Sequence, residues 1–245
     1  MKKEERRNPM MLLKGTISCL ERTRRSHNFA LTDVQHKQIS ATVIAPSVMG
    51  IGSAGMDLMG MTGNSDEEAD WVEFKLGENQ LKGWLWIMPM RNGDNVEVVA
   101  EQTSEDQYVI YAVKRDGDDL LAIYPHATSG RKVHYRKSAR AWLWSSSLLT
   151  LGTALFFVLP RGLDALLKAE MQLFLLGTST LLMLIFAVIC FRVSQRLMGF
   201  VKIAEAIFRT FGWPNIENID LRQTSIENRR ENNLPNYGTF YFRHK

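Results

Sequence analysis

Two stretches decide the fold: AWLWSSSLLTLGTALFFVL, residues 141–159, and MQLFLLGTSTLLMLIFAVICF, residues 171–191. They are 19 and 21 residues long and neither contains a charged side chain. At about 1.5 Å per residue, each covers roughly the 30 Å of a bilayer's hydrocarbon core. A core helix of a soluble domain seldom stays uncharged for so long, and two in tandem with charged flanks read as a transmembrane hairpin, 141–191.

The flanks orient it. Arg131, Lys132, Arg136, Lys137 and Arg140 precede the first stretch, and Arg192, Arg196, Lys202 and Arg209 follow the second. In the connecting loop Arg161 and Lys168 are offset by Asp164 and Glu170. Lysine and arginine mark the cytoplasmic side, so both termini are expected in the cytoplasm and the short loop outside. Trp142 and Trp144 fall where an interfacial aromatic belt belongs. With Arg136, Lys137, Arg140, Arg192 and Arg196 they form the expected interface anchors, and membrane lipids are the expected partners.

In an antiparallel hairpin, Gly152 and Gly177 fall at similar depth, amid Thr150, Thr153 and Ala154 on one side and Thr178, Ser179 and Thr180 on the other. Small residues allow close backbone approach and hydroxyls can bond across helices. The expectation is a tightly packed hairpin through Gly152, Thr153, Gly177 and Thr178; a homo-oligomer joined through the same face is the sharper reading. No Asp, Glu, Lys, Arg or His lies inside either stretch. Transport and proton relay usually need such groups, so a pump or transporter is disfavoured.

Of 245 residues, enough remain for one ordinary domain beside the hairpin. The net charge of +4 does not point to nucleic acid. Much of it lies in the first forty residues and beside the spans, where anionic lipid is the nearer partner. The two cysteines, Cys19 and Cys190, offer neither a disulfide framework nor a zinc site. The charged start Met1-Lys2-Lys3-Glu4-Glu5-Arg6-Arg7 lacks the apolar core of a cleaved signal.

Between Trp71 and Tyr124 the pattern turns to period two. Val72, Phe74 and Leu76 alternate with Trp71, Glu73 and Lys75, and Val96, Val98 and Ala100 alternate with Glu97, Val99 and Glu101. Leu81 to Met88 reads as another strand, with Trp84, Trp86 and Met88 on one face. Tyr108 to Val113 and Leu120 to Tyr124 complete the series. Gly77, Asn92-Gly93-Asp94 and Asp116-Gly117-Asp118 supply the turns. Leu13 to Leu20 is expected to join the sheet and His27 to Asp33 to add a strand. The fold class is thus membrane α+β: a transmembrane hairpin plus a small antiparallel barrel of OB-like or SH3-like type, over 1–130. Trp84 and Trp86 resemble base-stacking platforms, but Glu73, Glu97 and Glu101 would repel phosphate. Core packing is the reading adopted for them, and no nucleic acid is expected.

Residues 40–64 form a Gly/Met-rich insert. Gly50-Ile51-Gly52-Ser53-Ala54-Gly55 matches G-x-G-x-x-G, but the βαβ unit that such a site requires is missing. A flexible loop, a surface helix and a partner-binding segment all remain open for this insert. The acidic run Asp66, Glu67, Glu68 and Asp70 reads as a solvated edge. Beyond the hairpin, 192–245 opens with an amphipathic helix carrying a stripe of Leu197, Phe200, Val201, Ala204, Ile207, Phe208 and Phe211. It is expected to pack on the barrel or to lie in the membrane interface, and Gly212-Trp213-Pro214 ends it. Tyr237 to Phe242 reads as a last strand, added to the barrel.

His27, His36, His126, His134 and His244 show no metal-ligand spacing, and no nucleophile elbow, zinc-protease motif or P-loop occurs. No enzyme activity, cofactor or metal is expected. Tyr124-Pro125-His126 reads as a turn between barrel and membrane rather than as a general base.

Several segments together carry a resemblance: Lys14-Gly15-Thr16-Ile17-Ser18 with Arg22-Thr23-Arg24, the Gly/Met/Ala insert, Glu68-Ala69-Asp70-Trp71-Val72-Glu73-Phe74 and Lys82-Gly83-Trp84-Leu85-Trp86. Gly93 to Glu101, and Tyr124-Pro125-His126 before Gly130-Arg131-Lys132, extend it. The chain resembles a bacterial family of two-span inner-membrane proteins assigned as type VI secretion system effectors. The resemblance implies a role in bacterial competition and carries over no catalytic residue. A twice-spanning protein is awkward to export, so an immunity protein against a membrane-active toxin is the expectation drawn from it. An effector acting on membranes and a membrane-anchored barrel scaffold are the alternatives.

Overall fold

The computed structural model describes residues 9–27, 67–104, 106–160, 162, 168–232 and 242–243. The insert 40–64, the strand expected beyond His27 and residues 237–241 lie outside these. The strands are β1 (Met11–His27), β2 (Glu67–Leu76), β3 (Asn79–Leu85), β4 (Asn95–Ser104), β5 (Gln107–Arg115), β6 (Leu120–Ile123) and β7 (Phe242–Arg243). The helices are α1 (Arg131–Val158), α2 (Ala169–Thr210) and α3 (Leu221–Glu231).

Five strands close a barrel. β1 pairs antiparallel with β2 and β4, β2 with β3, and β4 with β5. A parallel pairing of β3 with β5, from Gln80↔Gln107 to Lys82↔Val109, completes the ring. Closure removes the exposed edges that would otherwise invite aggregation. Alternation fills the inside: Val72, Phe74 and Leu76 of β2, Leu81 and Leu85 of β3, Val96, Val98 and Ala100 of β4, and Ile110 and Val113 of β5 form one buried cluster. Gly83 has to be glycine, because a Cβ there would stand 2.6 Å from the Ile110 carbonyl oxygen.

β1 runs well past the expected Leu13–Leu20. Its register slips between Ser18 and Glu21, with Cys19 at φ +52°. A bulge of this kind bends a strand sharply, so β1 serves β4 through Met11–Thr16 and β2 through Ile17–His27. The far half is Glu21-Arg22-Thr23-Arg24-Arg25, which has no apolar alternation to mark it as a strand. Asn92 Oδ1 accepts the Leu20 N–H at 2.8 Å, and Ile17 exchanges backbone hydrogen bonds with the Gly93-Asp94 turn.

Two readings need correction. β3 stops at Leu85, and its inward residues are Leu81, Gly83 and Leu85. Trp84 therefore faces outward, edge-on to Trp71 at 5.1 Å, while Trp86 lies beyond the strand, buried, with the Arg222 guanidinium 5.5 Å from its ring centre. Core packing describes Trp86 and not Trp84. Nor is Asp70 part of a solvated edge. It is 3 % exposed, accepts the Met88 N–H at 2.9 Å and pairs with Arg24 at 3.3 Å.

A second apolar layer lies on the outer face of β4–β6. Val99, Ala112 and Ile123 stand in one cross-strand row and are fully buried, outside the interior cluster. The same compact unit contains residues 206–214 and 220–245. These bring Ile207, Phe208, Leu221 and Phe242 to near-complete burial. β7 pairs with β6 through Leu121↔Phe242.

The second unit holds 129–205 and 215–219. Its helices α1 and α2 have 28 and 42 residues, about 42 and 63 Å long at 1.5 Å per residue. Each is long and apolar enough to cross a membrane, and none of the most apolar stretch of α2 is buried. The amphipathic stretch after Phe191 continues α2 without a break to Thr210.

Candidate membrane interface

The helix pair meets at three levels. Near the loop, Phe157 and Phe174 pack edge to face at 5.0 Å. Midway, Trp142 Nε1–H donates to the Met183 carbonyl at 3.3 Å. At the base, His134 Nε2 lies 2.9 Å from Ser194 Oγ and 3.1 Å from the Ser194 carbonyl oxygen, and Ser138 Oγ donates to Ser194 Oγ at 3.3 Å. A carbonyl only accepts, so contact with it requires the proton on His134 Nε2. His134 and Ser194 are both buried, as is Ser146, whose Oγ has no partner among the described residues.

The predicted glycine packing is not what joins the helices. A Cβ on Gly152 or on Gly177 would meet nothing within 4 Å. Thr153 Oγ1 donates to the Leu149 carbonyl at 2.9 Å, and Thr178 Oγ1 to the Phe174 carbonyl at 2.8 Å. Each hydroxyl is thus spent on its own helix, four residues back, as Ser and Thr commonly do in helices. The two glycines lie at matched depth but on exposed faces. Among the anchors, Trp142 turns toward α2 while Trp144 is fully outward.

Below the seam, the start of α1 is locked by a charge network that the sequence reading missed. α1 begins with Arg131 and Lys132 and has no acidic residue in its first turn, an unfavourable start beside the positive end of the helix dipole. Glu205 of α2 compensates. Its Oε1 accepts the Arg131 backbone N–H at 2.9 Å and pairs with the guanidinium at 3.4 Å. Glu217, in the short 3-10 turn Ile216–Asn218, takes the Arg131 guanidinium and, at 2.9 Å, Lys132 Nζ. The Lys132 hydrogen bond, with the Arg131 charge behind it, holds the Glu217 carboxyl below its ordinary range.

Gly130 makes this possible. Its N–H donates to the Ile219 carbonyl at 2.9 Å, and a Cβ would stand 2.2 Å from the Ile216 carbonyl oxygen. Partners 74 and 86 residues apart leave no local spacing to read. The missing acid at the start of α1 was the one available signal.

Next to the apolar stretches, Arg136, Lys137 and Arg140 on α1 and Arg192 and Arg196 on α2 are all exposed. Cations thus ring the end of both helices that lies away from their connecting loop. Among the described residues no group of three or more His, Cys, Asp or Glu is placed to hold a metal ion. Comparison with known proteins gives no match: no family model fits the chain, and no curated protein or solved structure is significantly similar to it.

Proposed function

We propose that the chain is an integral protein of the bacterial inner membrane, anchored by α1 and α2 with both termini cytoplasmic, that acts by binding and not by catalysis. The observation that carries this reading is the continuous exposed apolar surface of the two helices, with no Asp, Glu, Lys, Arg or His within 141–159 or 171–191. A soluble protein does not leave so large an apolar surface in water, and hydrocarbon is the solvent that suits it. The barrel's ring order, β1-β2-β3-β5-β4, supports the OB-like form of the fold.

Within the type VI resemblance, the role that fits is protection of the membrane against a membrane-active antibacterial toxin, met helix to helix in the bilayer. Co-expression with a membrane-active toxin encoded beside it tests this: survival and a preserved membrane potential are expected. Unchanged killing and depolarisation would remove the protective role. Expression alone in a naive host separates the effector reading, which requires that the chain itself depolarise the cell. The scaffold reading has its own support in Trp71 and Trp84, half-buried on the barrel's outer face with Trp71 Nε1–H donating to Glu73 at 2.7 Å. A cytoplasmic partner captured by the full-length protein and lost on Trp84→Ala would favour it.

A further inference from the structure

At four-residue spacing along α1 stand Arg136, Arg140, Trp144 and Leu148, followed by Leu151 and Leu155. Residues three and four apart share one helical face. The exposures bear out a single outward stripe: both arginines are exposed, and the apolar members are 74 %, 72 %, 57 % and 49 % exposed in that order. From base to tip it presents two guanidinium groups, an indole, then three leucines.

In water such a stripe is unfavourable. Like charges at this spacing disfavour a helix in water. The rest of α1 offers no relief, since Arg131–Val158 contains no acidic residue, and neither does Met171–Ala204 of α2. The carboxylates at the base, Glu205 and Glu217, are engaged by Arg131 and Lys132. What suits two adjacent guanidinium forks is a phosphate, which they grip through parallel hydrogen bonds. What suits the indole and leucines directly above is an acyl chain, with the indole at the level between headgroup and hydrocarbon.

We infer that this stripe is a binding site for an anionic phospholipid, with Arg136 and Arg140 on the phosphate, Trp144 at the glycerol level and Leu148 to Leu155 along one chain. The site rests on the membrane reading above and adds a headgroup preference to it. Arg192 and Arg196 repeat the paired-arginine spacing on α2, above which Val188 and Leu184 are exposed. No tryptophan stands there at the level of Trp144, so α1 carries the stronger site.

The test uses the full chain in detergent, titrated separately with phosphatidylglycerol, phosphatidylcholine and inorganic phosphate, with bound lipid read by native mass spectrometry and Tm by thermal unfolding. Phosphatidylglycerol is expected to bind and raise Tm, and the other two to do neither. The double variant Arg136→Gln/Arg140→Gln should weaken phosphatidylglycerol binding roughly 10- to 30-fold, from about 1 kcal/mol per basic residue near an anionic surface. Arg91→Gln, on the barrel, should leave it unchanged. Trp144→Leu should shorten lipid retention without abolishing charge selectivity.

Equal binding of the two lipids, or an unaffected double variant, overturns the site. An equal response to inorganic phosphate overturns the lipid assignment. Flotation with vesicles keeps this failure apart from that of the membrane reading: a chain that floats with neither vesicle type is not a membrane protein, whereas one that floats equally with both lacks only the headgroup preference.

Discussion

The barrel and the helix pair spend their apolar residues in opposite ways. In the barrel, Phe74, Leu81 and Ile110 are buried against one another, and Gly83 sits so close to the Ile110 carbonyl that no methyl group would fit. In the helix pair, Leu148, Leu173 and Phe191 face outward, and Gly152 and Gly177 have open space around them. One region brings its own apolar surroundings. The other has the surface of a structure whose surroundings are supplied by something else. What fixes the base of the helices is polar: the His134–Ser194 seam and the Glu205–Arg131–Glu217 knot.

The largest effect should come from emptying the barrel. Phe74→Ala removes a fully buried ring and is expected to cost about 3–5 kcal/mol, measured as a lowered urea midpoint for the barrel's tryptophan fluorescence. Next comes the base of the helices. Gly130→Ala drives a methyl into the backbone at Ile216 and should cost about 1–3 kcal/mol through overpacking. Its readout is faster amide exchange in the first turns of α1, with the barrel's exchange unaltered.

A smaller effect concerns pH. Arg115 donates to both Asp118 oxygens at 3.0 and 2.7 Å and holds the Asp118 carboxyl below its ordinary value. A lowered folded-state pKa gives stability that is present above the unfolded value, near 3.8, and lost as pH falls through the folded one. Barrel stability should thus decline as pH drops below about 4, less steeply in Asp118→Asn and in high salt, since the pair is partly exposed. The smallest effect is expected at Gly152→Ala. With open space around it, the added methyl should leave Tm unchanged or slightly raised; a marked loss would mean that Gly152 does meet another helix.

These contrasts also mark what was legible in the sequence. Apolar length exposed the helix pair and period-two alternation exposed β2 and β4, because both signals are local. The rest depended on partners far along the chain. Asp70 reads as one more acidic residue until the Met88 N–H, 18 residues on, is seen to take it into the core. The second half of β1 is a run of polar residues that becomes a strand only against β2. For the hairpin, the sequence supplied depth and not rotation: Gly152 and Gly177 are level, but the rotation of each helix turns them away from the contact. Trp84 failed for a related reason, since β3 ends at Leu85 and the alternation cannot be carried through to Met88.

Cys19 gives the central claim its most direct test. It is exposed on the barrel unit, and Cys190 lies within the second apolar stretch of α2. In a Cys190→Ser variant, Cys19 is the sole thiol. In spheroplasts of a bacterial host, a membrane-impermeant maleimide should leave the protein unlabelled, and disruption of the inner membrane should expose Cys19 to full labelling, with the chain remaining in the carbonate-washed membrane fraction. Labelling of intact spheroplasts would contradict the cytoplasmic placement of the barrel, and recovery of the chain in the carbonate wash would contradict the membrane-spanning helix pair itself.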